Sequence, residues 1–522
     1  MTTSTSKEIK KIQEITIPSS RTSIEDRAYS DYSGLIRITI PPSITSIGKY
    51  AFNQCILLKE IIIPSSVKII GEGAFNGCST LDNLAIPKSV GTIEKLAFHG
   101  CSSLKEIKIP SSINAIEEGV FDECTSLQVI NIPYTVKSIG KNAFRSCILL
   151  TQVKIPSSVT SIGPGAFSNC NSLSQIEIPS SVTTIGFNAF SRCKSLVYAV
   201  IPSSVVSIGY AAFSHCASLL EIVMPSSISI IPDSIFDGCK SLINVEIPST
   251  VTEIETHAFA GCSSIKQITI PLSVTKIGEG AFSQCTSLIE VVIPSAITSI
   301  EEAVFDDCIS LVLVNIPCSV TSIGKFAFRG CLSLAQVTIS QSIFVLGESC
   351  FENCSSMNEI SIPLSVTTIS KRSFYKCTAL SKIEIPSSVT SIGDYCFGGC
   401  TSLKSISIPS SVTSFGEYTF DNCSSLTKIE IPSSIKTIDR FAFSGCSSLK
   451  DVVIPNSVTS IKEGAFINCV SLSEIKIPKS VTSIGTHAFT GCNSLAGLEI
   501  SQSVKAIDKE AFDKITKIIK TN

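Results

Sequence analysis

The 522-residue chain has no tryptophan, three methionines and four histidines. A zinc site or a nucleophile–base pair needs such groups gathered in one small volume. His99, His215, His257 and His487 instead fall at scattered positions, which predicts surface histidines and no metal site. Charge of one sign is missing too: 41 Lys and Arg stand against 43 Asp and Glu, for a net −2. That leaves no basic surplus to drive binding to nucleic acid or to anionic membranes. Mean hydropathy is positive, +0.38, yet no run approaches the roughly 18 apolar residues of a spanning helix. The stretch Met1-Thr2-Thr3-Ser4-Thr5-Ser6-Lys7 lacks the apolar centre of a secretory signal, and Lys520-Thr521-Asn522 carries no lipid-anchor signature. A cytoplasmic chain is therefore expected, with the cell surface by a non-standard route as the alternative. No phosphate loop or dinucleotide fingerprint appears, so no cofactor is expected.

What is present is one stretch, repeated. In the copy opening at Cys55, the residues Leu58, Ile61, Ile63, Pro64, Val67, Ile70, Gly71, Ala74 and Phe75 occupy fixed slots that recur every 23 residues. The proline slot runs from Pro18 to Pro478, with only Ser340 and Ser501 replacing proline at 22 positions, and nothing is inserted or deleted between them. A fixed period in the range of roughly 20–50 residues indicates a solenoid. The repeat overrides the length-based expectation of several globular domains. It divides the chain into an N-terminal cap with an atypical first repeat (1–34), a continuous solenoid (35–505) and a C-terminal cap (506–522).

Leu58-x-x-Ile61-x-Ile63 alternates and ends at a proline, which predicts a short strand closed by Pro64. Ser65-Ser66 supplies turn chemistry with hydroxyls free to bond nearby backbone, and Val67 and Ile70 return to the core from a second short extended segment. The slot of Gly71 holds Pro232 and Glu94 in other copies, so it does not require a left-handed residue. Ala74-Phe75-x-x-Cys78 is predicted to be a 3₁₀ or single α turn. Each turn would expose one oily side alone and cover it only against its neighbours, giving a body on the order of 100 Å long at about 4.8 Å per turn. At the C-terminus, Phe512, Ile515, Ile518 and Ile519 are spaced as on one face of a short amphipathic helix laid over the open end.

Of the 23 cysteines, 20 share one slot. Stacked turns would hold them about 4.8 Å apart with parallel side chains, whereas a disulfide needs Cβ atoms about 3.8 Å apart and facing. A ladder of buried free thiols aimed at backbone carbonyls is expected, with Cys318, Cys350 and Cys396 outside it and also free. A uniform column does not make a tetrahedral metal site. Asn353-Cys354-Ser355 and Asn422-Cys423-Ser424 are glycosylation sequons in form only, because they overlap the buried slot.

The motif Leu-x-x-Ile-x-Ile-Pro-x-Ser-Val-Thr-Ser-Ile-Gly-x-x-Ala-Phe-x-x-Cys resembles the repeat of the BspA-like leucine-rich-repeat family, found in bacteria and expanded in protozoan parasites. The resemblance covers nearly the whole chain. It implies a curved, mainly β horseshoe with a concave parallel sheet, and a role in adhesion or protein binding at a surface.

On the outward strand positions most copies are polar, such as Lys105, Glu106 and Lys108. Between about 197 and 313 they become Val197, Tyr198, Val200, Leu220, Val223, Ile243, Ile289, Val292, Val312 and Leu313, with Glu221, Asn244, Glu246, Gln267 and Glu290 among them. Such a patch marks an interaction site, or reflects the β-propensity of valine and isoleucine, or serves self-association. The chain is expected to be a non-enzymatic protein-binding protein using these residues. An intracellular structural or scaffolding solenoid is the alternative, and an enzyme is disfavoured because identical copies offer no unique acid, base and nucleophile.

Overall fold

The computed structural model describes residues 11–513 and 517–521. Two kinds of strand alternate throughout, a three-residue one such as Glu60–Ile62 and a two-residue one such as Ile69–Ile70. The pairing is parallel and, up to the last long strand, joins counterparts one repeat away, Glu60 opposite Asn83 and Ile61 opposite Leu84. This is the expected parallel β solenoid. Its backbone divides into two compact units, residues 1–251 with 258–264 and residues 252–257 with 265–522. The first unit carries a continuous sheet of eleven long strands, from Glu14–Thr16 to Asn244–Glu246. In the second unit the long strands form shorter sheets, one of which runs from Gln267–Ile268 to Gln336–Thr338.

The sequence explains each corner. Within Glu60-Ile61-Ile62 only the middle residue is buried, because successive side chains leave opposite faces of a strand. Proline has no N–H to extend the ladder, and its carbonyl closes the following turn by accepting from Val67 N at 3.0 Å. The second serine bonds away from its own turn: Ser66 Oγ donates to Ile44 O of the preceding repeat at 2.6 Å. Leu58, Val67, Ile70, Ala74, Phe75 and Cys78 are wholly buried. The phenylalanines stack as a continuous column in each unit, with centroids 5.2 Å apart for Phe52–Phe75 and 5.5 Å for Phe305–Phe328.

The segment holding Phe75 differs from the helical turn expected, and the described residues contain no helix. Two positions per repeat have positive φ, here Gly73 (56°) and Gly77 (72°), and the same slots recur as Leu96 (58°) and Gly100 (70°). A left-handed residue every fourth position interrupts a right-handed helix. The amides then alternate in direction. Ala74 N and Asn76 N bond locally to Gly71 O and Gly73 O, whereas Phe75 N and Gly77 N reach Ala97 O and His99 O of the next repeat at 2.8 Å. The result is a run of tight turns stitched to its neighbours. Gly71, by contrast, has no positive φ, as the sequence implied. A Cβ there would lie 2.9 Å from Ile47 O, so glycine suits the slot by letting two backbones approach.

The C-terminus is a second correction. Residues Lys517–Thr521, expected in a helical cap, form a strand parallel to Gly497–Ser501, with Gly497 opposite Lys517. The strand Gly497–Ser501 has an open edge whose N–H and C=O groups need partners, and another strand supplies them where a helix would not. Lys514 and Ile515 of that expected helix, and residues 1–10 of the expected N-terminal cap, lie outside the described residues. The first turn is nonetheless part of the sheet: Glu14–Thr16 pairs with Arg37–Thr39, and Tyr29 stacks on Phe52 at 5.6 Å.

The cysteine ladder is present as expected, and all the cysteines are free. Cys78 Sγ donates to Phe52 O at 3.2 Å, and the bond recurs down to Cys492 Sγ on Phe466 O at 3.2 Å. Burial pushes the thiols up, Cys193 and Cys492 to about 12, so they stay protonated and unreactive. Cys350 and Cys396 are buried, and Cys318 alone is exposed. A small alkylating reagent at pH 8 is therefore expected to modify one thiol per folded chain, Cys318, and all 23 after denaturation. Mass spectrometry of the labelled peptides checks this, and rapid labelling of ladder residues in the native chain would contradict it.

Candidate protein-binding face

Outward residues of the long strands form columns, because the register never slips between paired repeats. At several points on this face charges meet their opposites. Arg37 lies 3.8 Å from Glu14 and 3.6 Å from Glu60, Lys382 3.2 Å from Glu384, and Lys428 2.9 Å from Glu430. Single apolar residues also occur there: Val453 stands between Glu430 and Lys476, and Val129 between Glu106 and Gln152. Isolated residues of this kind are ordinary surface.

Three consecutive strands of the first unit are different. Tyr198–Val200, Glu221–Val223 and Asn244–Glu246 lie side by side, with Tyr198 opposite Glu221 and Val223 opposite Glu246. Val197, Leu220 and Ile243 precede the strands, and Leu220 N bonds Val197 O at 2.9 Å while Ile243 N bonds Leu220 O at 3.0 Å. Val197, Tyr198, Val200, Leu220, Val223 and Ile243 are each 39–53% exposed, with Glu221 and Glu246 between and beside them. The eight residues from Val197 to Glu246 singled out in the sequence thus share one surface.

The second unit brings together the other five. Glu290–Val292 pairs with Leu313–Asn315, which places Ile289, Glu290 and Val292 next to Val312 and Leu313. Glu290 accepts from Gln267 Nε2 at 3.2 Å. Within this unit the patch is bounded on one side by the polar outward residues Lys266 and Gln267.

Sequence reasoning missed a polar cluster on the turn side. Asp122 is buried to 4% exposure and receives two parallel bonds from Arg145, Nε to Oδ1 at 2.9 Å and Nη2 to Oδ2 at 2.8 Å. His99 Nδ1 lies 3.4 Å from Asp122 Oδ2, so this histidine is half-buried rather than a plain surface residue. The interaction with Asp122, opposed by burial, raises its pKa. The second unit repeats the pair as Asp306 and Arg329, at 2.7 and 2.6 Å. A ladder of half-buried rings, Tyr395, Tyr418 and Phe441, with centroids 4.5 and 4.7 Å apart, was also missed, because its members occupy left-handed slots. Among the described residues no group of three or more His, Cys, Asp and Glu is arranged to hold a metal, and no helix is long and apolar enough to cross a membrane.

The family model of the BspA type leucine rich repeat region matches six times, over residues 5–128, 91–220, 207–335, 281–402, 321–450 and 416–522. The chain belongs to the BspA-type leucine-rich repeat family. Among solved structures similar to this chain, a leucine-rich repeat protein from Bacteroides ovatus is 24% identical, with 87% of this chain and 88% of that one covered and a TM-score of 0.35. One from Eubacterium ventriosum is 25% identical over 63% and 85% of the two chains, with a TM-score of 0.42. The T. pallidum leucine-rich repeat protein is 30% identical over 35% of this chain and 78% of its own, with a TM-score of 0.28. No curated protein matches this BspA-type chain.

Proposed function

We propose that this BspA-type chain is a non-enzymatic binding protein that offers the outward face of its long strands to a protein partner. The observation carrying this reading is the cluster of Val197, Tyr198, Val200, Leu220, Val223 and Ile243 on three paired strands. Strand propensity accounts for isolated residues such as Val453 and Val129. It does not account for six outward apolar side chains on adjacent strands, whose exposure in water is unfavourable by about 25 cal/mol per Å². Membership of a repeat family built around extended surfaces agrees with this. In the second unit, Ile289, Val292, Val312 and Leu313 form a separate candidate patch of the same kind.

The test compares the intact chain with a Tyr198→Ser, Leu220→Ser, Leu313→Ser variant in pull-downs from a cell extract. The variant is expected to lose partner capture while its thermal unfolding midpoint stays within about 2 °C, since exposed positions contribute little to stability. Undiminished capture by the variant sinks the assignment.

A further inference from the structure

Carboxylates with no cation on the strands beside them mark the first-unit patch. The column Glu177, Val200, Val223, Glu246 is fixed residue by residue by strand pairing. Two acids bracket two valines, and a third acid, Glu221, lies beside them between Tyr198 and Asn244. No lysine or arginine stands among the outward residues from Ser174 to Glu246 on these strands. Lys154 precedes Glu177 in the column, yet no ion pair joins them, and Glu221 and Glu246 are likewise unpaired among the described residues, with no cation on the strands beside them, whereas Glu14, Glu60, Glu384 and Glu430 each meet one and Glu106 and Glu474 have lysines on their own strands. Lys194 and Lys240 stand in the loops that lead into the strands.

We infer that the partner element seated here is an extended peptide segment that is both basic and apolar, running across the strands. This rests on the binding-face reading above and names the chemistry of its ligand. Three strand spacings separate Glu177 from Glu246, about 14 Å at roughly 4.8 Å each. An extended chain advances about 3.3 Å per residue, so side chains four residues apart on one of its faces are about 13 Å apart. Two Lys or Arg residues at that spacing meet the two bracketing carboxylates, and the apolar residue midway between them lies on Val200 and Val223. Glu221 and Tyr198 then border the segment on one side, where a further cation is accommodated over the ring or beside the acid. Opposite charge across the contact raises the on-rate and rejects acidic segments.

The experiment uses fluorescein-labelled Gly-Lys-Thr-Val-Thr-Lys-Gly, with Gln and Glu versions at both Lys positions, titrated into the full chain by anisotropy. The Lys probe is expected to bind about tenfold tighter than the Gln probe. The difference should shrink as salt rises from about 0.05 to 0.5 M. Glu177→Gln with Glu246→Gln should erase it while leaving the circular dichroism unchanged. Equal binding of the Lys and Gln probes, or binding of neither, overturns the inference. If partner capture is lost in Tyr198→Ser, Leu220→Ser but unaffected by Glu177→Gln, Glu246→Gln, the face binds through its apolar residues alone and only the basic-peptide assignment fails. If neither pair of substitutions affects capture or probe binding, the face itself is wrong.

Discussion

Phe144→Ala is expected to lower the stability of the first unit by about 3–5 kcal/mol, the usual loss for truncating a buried phenylalanine. Phe144 is wholly buried, with Phe121 5.5 Å on one side and Phe167 5.2 Å on the other, both rings near parallel to it. The cavity opens in the middle of a column, so both neighbouring turns lose packing, and nothing nearby is free to collapse into the gap. In a repeat array each unit is held by its neighbours, which makes the effect local. Amide hydrogen exchange on the intact chain should show lost protection from roughly residue 115 to 170, with the second unit unchanged. The control is Ile62→Ala, a substitution at an outward residue 83% exposed, expected to cost less than about 0.5 kcal/mol. Comparable losses for the two substitutions would refute the idea that the column holds the array together.

Arg145→Met is expected to cost the first unit about 2–3 kcal/mol. Removing one partner of a buried pair leaves the other charge stranded, commonly at about 3–5 kcal/mol. Arg145 is partly open to water, which screens the pair and reduces the figure. Replacing Asp122 and Arg145 together, by Asn and Met, should cost less than the single change. Additive losses in a double-mutant cycle would show that the two side chains act independently. His99 adds a pH dependence of defined sign. Its folded pKa is raised, first by the interaction with Asp122. Its contribution is therefore complete below the unfolded value of about 6.5 and disappears as pH rises through the folded value. Between those limits the parent chain should lose stability relative to His99→Gln, and parallel stability curves for the two proteins would rule the linkage out.

Much of this architecture is legible in the residues themselves. The 23-residue period, the strand stopped at Pro64 and the thiol column beginning at Cys55 follow from spacing, because parallel stacking brings like residues together. The left-handed slots are not legible. Their occupants include glycine, asparagine, leucine and phenylalanine, as at Gly73, Asn142, Leu96 and Phe326. What fixes their conformation is the amide bonding between turns, which composition does not record. The strand at Lys517–Thr521 was hidden by apolar spacing that suits a helix, and it was decided by the open edge beside it. For the candidate face, alternation was enough to tell which side chains point outward. Which acids find a cation is also a matter of side-chain reach, so Glu60 pairs with Arg37 on the neighbouring strand whereas Glu177, with Lys154 opposite it, does not.

The stitching of Phe75 N to Ala97 O and Gly77 N to His99 O has an evolutionary consequence. Copying or excising one complete 23-residue segment leaves every column in phase, and the array changes length without relearning how to fold. Gaining or losing a single residue within such a segment throws the amides, rings and thiols of that turn against the wrong partners on both sides. Gene duplication and unequal recombination at whole-turn boundaries are thus the tolerated route to new lengths, with novelty confined to the side chains that face water.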